Sequence, residues 1–169
     1  MAEMTTKDIN VQRFSVTSPK GFYDVVAAFE AAIGHPEMNT FRKNVAAAKT
    51  FAEVENIVHG ATGPSDLMEF TRMNLGEVLR KRNGAPARQS LRFIVGNPVI
   101  MSQMVQRVPD AGSYAPVTIL IDERQDGVHL SYDRMASFLA PYGNPEALKV
   151  AQDLDSKVEA LLTAAASEK

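Results

Sequence analysis

An Asp126-Gly127 pair between two short alternating segments constrains the fold of this chain more than any other feature. Residues 117–123 and 128–132 alternate apolar and polar side chains, which is the period of a β-strand. Asp-Gly between two such segments is the strongest short-range signal for a β-hairpin. We therefore predict two antiparallel strands joined by a tight turn.

The predicted hairpin has one apolar face and one polar face. A two-residue turn centred on Asp126 and Gly127 places Ile121 opposite Tyr132 and Arg124 opposite His129. The apolar face then carries Val117, Ile119, Ile121, Val128, Leu130 and Tyr132. The polar face carries Thr118, Leu120, Asp122, Arg124, His129, Ser131 and Asp133. Antiparallel sheets commonly bury one face, so we expect helices on the apolar side. The polar side is either wetted by solvent or lines a cleft or a subunit contact.

Further elements follow from periodicity and from residues typical of helix ends. Strands are predicted over 11–17 and 90–95. The first helix should begin with Ser18 as its cap and Pro19 in its first turn, run to about 33 and stop at a left-handed Gly34. Shorter helices are predicted over 41–49, from Thr50 to Gly60, over 99–108 and over 135–139.

Residues 67–82 and the last helix each have two interpretations. We favour a strand over 67–73 followed by a helix over 75–82, because Gly76 weakens a single helix over 67–79. The last helix, 144–166, has apolar residues spaced by four and three: Ala151, Leu154, Val158, Leu161 and Ala165. Packing on the sheet explains that stripe better than a coiled-coil seam does.

Composition narrows the class of protein. The chain has 169 residues, which suits one domain, and we expect a flexible segment over 1–10 and a single domain over 11–166. It has no cysteine, so disulfides and thiolate chemistry are excluded. Its 18 basic and 20 acidic residues argue against a nucleic-acid binder. No segment is apolar enough to span a membrane or resembles a signal peptide, so we expect a soluble, cytoplasmic protein.

His129 is the candidate catalytic base. The predicted hairpin places it near Asp122, with Asp133 further along the same face, and a histidine beside a carboxylate can act as a general base. A cross-strand polar pair that only stabilises the sheet is the more frequent role of such a residue. The three histidines show no metal-ligand spacing, and no motif for a cofactor is present, so neither a metal nor a cofactor is predicted.

Candidate ligand-binding residues cluster after the hairpin. Tyr114 precedes its first strand and Tyr132 ends its second, so both lie at one end of the sheet, where Asp133 and Arg134 can join them. Two further candidates are Tyr142 and Asn97, the latter before a helix whose first turn could bind an anion. A pocket between the sheet and the helices would need such polar groups on an apolar wall.

The chain resembles the family called domain of unknown function 302. The resemblance extends over about 11–163 and depends most on three segments of the second half, Tyr114-Ala-Pro-Val-Thr, Asp122-Glu-Arg and Ser131-Tyr-Asp-Arg-Met-Ala-Ser-Phe-Leu-Ala-Pro-Tyr. It implies an α+β fold with a single antiparallel sheet packed on helices, and a homodimer. Where many members have a cysteine, this chain has Val117, and no activity or cofactor follows from the resemblance.

Three hypotheses about function follow. We favour a small-molecule-binding module with its pocket between the sheet and the helices. The alternatives are a cofactor-free enzyme that uses His129 with a nearby aspartate, and a structural or partner-binding homodimer.

Overall fold

The computed structural model describes residues 1–84 and 88–167. Its sheet has five antiparallel strands in the order β1-β5-β4-β3-β2. The strands are β1 (Arg13–Ser18), β2 (Met68–Asn74), β3 (Ser90–Gly96), β4 (Val117–Arg124) and β5 (Gly127–Asp133). The helices are α1 (Phe22–Ala32), α2 (Met38–Ala47), α3 (Phe51–Ala61), α4 (Leu75–Asn83), α5 (Pro98–Val105), α6 (Met135–Leu139) and α7 (Pro145–Ala166). The α+β class, the single sheet and the long C-terminal helix are confirmed.

The core lies between one face of the sheet and helices α1, α5 and α7. Phe29 of α1 and Phe93 of β3 are fully buried, with their ring centroids 5.0 Å apart. The apolar stripe of α7 is buried in this core, in contact with α1, α5 and α6 and with strands β1 and β5. The stripe therefore packs within the domain, as the sequence predicts.

The hairpin is present, but its predicted register is wrong by two residues. Ile121 lies opposite Leu130, and Gln125 and Asp126 form the turn. Gly127 closes the turn at φ 137°, a conformation that favours glycine, and a side chain there would lie 2.7 Å from the Ser18 carbonyl oxygen of β1. A shift by two keeps each residue on its own side of the strand, so the apolar and polar faces are as predicted.

Helix α1 begins later than predicted, because Ser18 has another role. Gly21 precedes the first helical residue, and no side chain caps this end. Ser18 ends β1 instead, and its hydroxyl donates a 2.6 Å hydrogen bond to the Ala166 carbonyl of α7. The predicted cap therefore ties the first strand to the end of the last helix.

Gly34 does not adopt the predicted left-handed conformation. It forms a parallel bridge with Met68, and a Cβ atom on it would lie 1.9 Å from the Ala61 carbonyl oxygen. The glycine is needed because the backbones after α1 and at the end of α3 approach each other closely.

Residues 67–82 fold as a strand followed by a helix, the favoured interpretation. Strand β2 has a bulge between Glu69 and Thr71, and Asn74 caps α4 by accepting a 3.0 Å hydrogen bond from the Glu77 amide. Gly76 is buried, and a side chain there would lie 2.9 Å from the Ser90 amide nitrogen. This close approach explains why a glycine stands inside a helix.

The Pro109–Ser113 and Ala140–Tyr142 segments are 3-10 turns next to α5 and α6. Within residues 1–84 and 88–167, no helix combines the length and the apolar composition that crossing a bilayer requires. The cytoplasmic location and the division at residue 10 stay predictions.

Candidate functional site on the uncovered face of the sheet

The polar face of the sheet is the candidate site, because its side chains face away from the helices of the core. Strand residues on this face alternate with the buried ones, and among those of β4 and β5 only Ser131 is buried. The strands at both sides extend the face through Arg13, Ser15 and Thr17 of β1 and through Ser90, Arg92 and Ile94 of β3. We call this surface the uncovered face.

A groove of about 220 Å³ crosses the middle of the uncovered face. Its lining comes from four strands and from the first residue of α4: Arg13, Leu75, Arg92, Thr118, Leu120, Ser131, Tyr132 and Asp133. By volume the groove has room for about seven water molecules at about 30 Å³ each. It therefore suits a small ligand.

Ser131 is the most deeply placed polar side chain of the groove. It is 8% exposed, between Ser15 of β1 and Leu120 of β4, which lie directly opposite it. Among the described residues its side chain makes no hydrogen bond, and its hydroxyl is open to the groove, unlike the Ser65 hydroxyl, which is buried and unpaired. A serine hydroxyl both donates and accepts hydrogen bonds, so this group can bind a water or a ligand in the groove.

Two arginines lie at opposite ends of the groove. Arg13 forms a two-point ion pair with Asp133, with nitrogen-to-oxygen distances of 2.6 and 2.8 Å. This hydrogen bond raises the pKa of Arg13 above its ordinary value. Arg92 lies 3.4 Å from the Thr118 hydroxyl, and no carboxylate within the described residues pairs with it. The groove therefore has one compensated and one uncompensated positive charge.

His129 also lies on the uncovered face, outside the groove. Its Nε2 atom is 2.9 Å from a carboxylate oxygen of Asp126, and its Nδ1 atom is 3.4 Å from the Thr17 hydroxyl. Asp122 lies directly opposite His129 in the sheet, but its carboxylate pairs with Arg124 at 2.7 Å. The hydrogen bond with His129 lowers the pKa of Asp126. The turn aspartate, not Asp122 or Asp133, is thus the carboxylate that contacts the histidine.

The predicted gathering of Tyr114, Tyr132, Asp133 and Arg134 does not occur. Asp133 pairs with Arg13 on the uncovered face, whereas Arg134 pairs with Glu159 of α7 at 2.6 Å. Consecutive residues at a strand end point to opposite sides, which separates this aspartate from the arginine after it.

Tyr132 lies in the core, with its side chain directed toward α7. It is 1% exposed, and its hydroxyl donates a 2.6 Å hydrogen bond to Asp155. Burial raises the pKa of Tyr132, so the phenol is neutral. Asp155 also accepts hydrogen bonds from the backbone amides of Met135 and Ala136, at 2.7 and 3.0 Å. The pair fixes the start of α6 against α7.

Tyr114 and Tyr142 do meet, as a separate cluster beside α6. Their hydroxyl oxygens are 2.9 Å apart, Phe138 stacks on the Tyr114 ring, and Lys7 lies over the Tyr142 ring. The hydrogen bond between the two hydroxyls is the largest cause of the raised pKa of Tyr142. These contacts tie the N-terminal segment and the turn after α6 to the domain.

Asn97 caps α5, the helix that begins at the next residue. Its side-chain oxygen accepts hydrogen bonds from the Val99 and Ile100 amides, at 2.9 and 3.3 Å, and its amide group donates to Asp66. Because Asn97 occupies the first-turn amides of α5, these amides are not available to an external anion. Beside it, the cavity between the sheet and the helices has a volume of about 10 Å³, no more than one water requires.

Sequence reasoning missed Arg13, Leu75 and Arg92 as site residues, and it missed Asp155. The alternation of β1 and β3 was a usable signal for the arginines, once these strands are placed beside the hairpin. Asp155 also had a signal, because a carboxylate directly after Leu154 interrupts the apolar stripe of α7. Within the described residues, no group of three or more histidine, aspartate or glutamate side chains could hold a metal ion.

Comparisons with known proteins place the chain beside one family. The family model described as Domain of unknown function DUF302 matches residues 41–165. A solved structure, an uncharacterized conserved protein DUF302 from Bacillus stearothermophilus, superposes with a TM-score of 0.61 at 9% sequence identity. The match covers 90% of this chain and 96% of that one, and at this identity it shows the fold alone. No protein with a curated description matches.

Proposed function

This chain belongs to the DUF302 family, and from that premise we propose that it is a small-molecule-binding protein whose ligand lies in the groove on the uncovered face. The groove offers what small-ligand sites usually offer, a few polar groups beside an apolar surface. The polar groups are Arg92, Thr118 and Ser131, and the apolar surface is formed by Leu75 and Leu120.

The observation that carries the proposal is the position of the Ser131 hydroxyl, which is open to the groove although the residue is only 8% exposed. A serine at this position could be replaced by a threonine or a valine, which strands prefer, if it only had to fill the sheet. The protein instead places at the bottom of the groove a hydroxyl that has no partner among the described residues. A molecule bound in the groove would form a hydrogen bond with this hydroxyl.

This location differs from the predicted pocket between the sheet and the helices. The cavity there has only about 10 Å³ and is lined almost entirely by apolar side chains. A ligand would have to displace core side chains, which pack closely in protein interiors. The uncovered face needs no such rearrangement.

A fragment screen by two-dimensional NMR tests the proposal. A set of neutral, anionic and cationic fragments is titrated into ¹⁵N-labelled protein, and the shifted amides are mapped on the structure. We expect the binding fragments to shift the amides of β4 and β5 around Ser131. Ser131→Val, which removes the hydroxyl and partly fills the groove, should weaken binding about tenfold, since one lost hydrogen bond costs about 1 kcal/mol or slightly more.

Ser15→Val is the matched control. Ser15 lies on the same face, directly opposite Ser131, but is exposed and does not line the groove. This variant should leave the affinity unchanged. Fragments that bind elsewhere, or a set in which nothing binds, would overturn the proposal.

A second candidate function is self-association of two copies, which one observation favours. Four apolar side chains at the junction of β2 and α4 are exposed to solvent: Met73, Leu75, Val78 and Leu79. Adjacent exposed apolar residues commonly mark a protein contact. We therefore propose that a homodimer, if the chain forms one, uses this junction.

A further inference from the structure

We infer that the ligand of the groove is a small organic monoanion, a carboxylate with a short aliphatic body. This inference rests on the proposed function and names the class of molecule that the groove selects. Arg92 and Ser131 would bind the carboxylate, and Leu75 and Leu120 would contact the aliphatic part.

The charges along the groove set the charge of the ligand. Three charged side chains line it, and two of them, Arg13 and Asp133, compensate each other in their two-point pair. Arg92 is left with no carboxylate partner within the described residues. The lining therefore has a net charge of one positive unit, which one negative charge balances. A cationic ligand would be repelled by Arg92, and a neutral ligand would leave its charge uncompensated.

The hydrogen-bonding groups near Arg92 are matched to a carboxylate. The guanidinium offers only donors, in a planar arrangement that fits two carboxylate oxygens. Leu120 separates Arg92 from Ser131 in one row across the sheet, so their Cα atoms lie about 10 Å apart, two strand spacings. An arginine side chain can cover most of this distance, so one carboxylate can contact both residues. The Ser131 hydroxyl then donates to the second lone pair of one carboxylate oxygen.

The apolar surface and the volume of the groove set the size of the aliphatic part of the ligand. Leu120 is half-buried in the lining of the groove. Leu75, which is 37% exposed, lines the groove from the start of α4. A space of about 220 Å³ equals about seven water volumes of about 30 Å³ and therefore suits a small ligand of roughly seven non-hydrogen atoms. Pentanoate has this size and serves as the probe.

Three probes with similar aliphatic chains and different charges test the preference for an anion. Pentanoate, pentanamide and pentylamine are titrated into the ¹⁵N-labelled protein near pH 7, where the first is an anion, the second neutral and the third a cation. We expect pentanoate to shift the amides around the groove and the other two to bind at least about tenfold more weakly. Acetate, which keeps the charge and lacks the chain, should also bind more weakly than pentanoate.

Substitutions of Arg92 test whether its guanidinium binds the carboxylate. Arg92→Gln should lower the pentanoate affinity about tenfold or more, and Arg92→Lys should restore part of it, because lysine keeps the charge but not the planar two-point contact. Arg42→Gln removes the same charge from the exposed surface of α2 and should change nothing. Arg92 is itself exposed, so its variants should fold normally.

The outcomes distinguish this inference from the proposed function. If pentanamide or pentylamine binds the groove as well as pentanoate, the inference fails and the small-molecule function stands. If pentanoate does not bind while other fragments shift the same amides, the inference again fails alone. If pentanoate binds and the Arg42→Gln variant loses as much affinity as Arg92→Gln, only the overall charge matters and the inference is overturned.

Discussion

Asp155 carries a carboxylate into the interior, where it accepts hydrogen bonds from the Tyr132 hydroxyl and from two backbone amides at the start of α6. Asp155→Asn replaces one oxygen by an NH₂ group, which cannot accept a hydrogen bond from the Ala136 amide. We expect the free energy of unfolding to fall by about 1–3 kcal/mol, the cost of leaving a buried donor unpaired. Urea titration of both proteins measures it. A change within about 0.5 kcal/mol would contradict this assignment.

The same residue predicts a pH dependence. Burial raises the pKa of Asp155 above the ordinary value of an aspartate, so the folded protein holds this proton more tightly than the unfolded chain does. The stability that this difference contributes is present at low pH and is lost as the pH rises from about 4 through the raised folded pKa. The advantage of the wild type over Asp155→Asn should therefore shrink as the pH of the urea titrations rises from about 4 through the raised folded pKa. An advantage that grows over this range would show that the pKa is lowered instead.

At the scale of single residues, the sequence predicted the side of the sheet on which a residue lies better than it predicted the residue's contacts. Tyr132 was placed correctly on the apolar face of the hairpin, yet it was also expected at a ligand pocket, and a residue on that face can only be buried. His129 was placed correctly on the polar face, but its partner Asp126 depends on the register of the turn. The alternation of apolar and polar residues fixes the face of the sheet on which each residue lies. The contacts of a residue depend on the register of the hairpin, and a register shift of two residues leaves the alternation unchanged.

Asn97 links two elements, and its removal should cost more than the loss of a simple helix cap. Its side chain caps α5 and also donates two hydrogen bonds to Asp66, at 3.0 and 3.1 Å. We expect Asn97→Ala to lower the free energy of unfolding by roughly 2–3 kcal/mol, about 1 kcal/mol from the cap and the rest from the contacts with Asp66. Thermal or urea unfolding measures it.

Thr50 provides the comparison for that prediction. It caps α3 by accepting a 3.2 Å hydrogen bond from Glu53, and it has no second role of the Asn97 kind in the described residues. Thr50→Ala should cost about 1 kcal/mol. Asn97→Asp keeps the cap but faces the Asp66 carboxylate, so it too should be clearly destabilising. Equal losses for Asn97→Ala and Thr50→Ala would mean that the link to Asp66 contributes nothing.

Element boundaries followed from the sequence wherever a local signal decides them. Thr50 and Asn144 cap α3 and α7 as expected, because a cap needs only the next three residues. The start of α1 was wrong because Ser18 binds the carbonyl of Ala166, 148 residues away in the chain. A contact between residues so far apart in the chain leaves no trace in a local sequence pattern.

At the scale of the whole molecule, the class of fold was predictable and the groove was not. The hairpin and the stripe of α7 predict a sheet covered by helices on one side, which is what the domain shows. The groove, in contrast, exists because β1 lies beside β5, which places Arg13 next to Asp133 across 120 residues of sequence. Strand order is a property of the assembled sheet, so no single segment could indicate the site.

The exposed junction of β2 and α4 is the proposed contact between two copies of the chain. Val78 is 68% exposed there, with Leu75 one turn before it and Leu79 directly after it in the helix. Burying such side chains gains about 25 cal/mol for each Å² of apolar surface removed from water. If the junction mediates a dimer, the mass measured by sedimentation at increasing concentration should approach twice the chain mass of 18.4 kDa.

Val78→Glu should keep the protein monomeric, because the contact would then have to bury a carboxylate. Phe51→Glu is the matched control, since Phe51 is 55% exposed on a helix elsewhere and its replacement should leave the dimer intact. A wild-type protein that sediments as a monomer at every concentration, or a Val78→Glu variant that still dimerises, would exclude this junction as the contact.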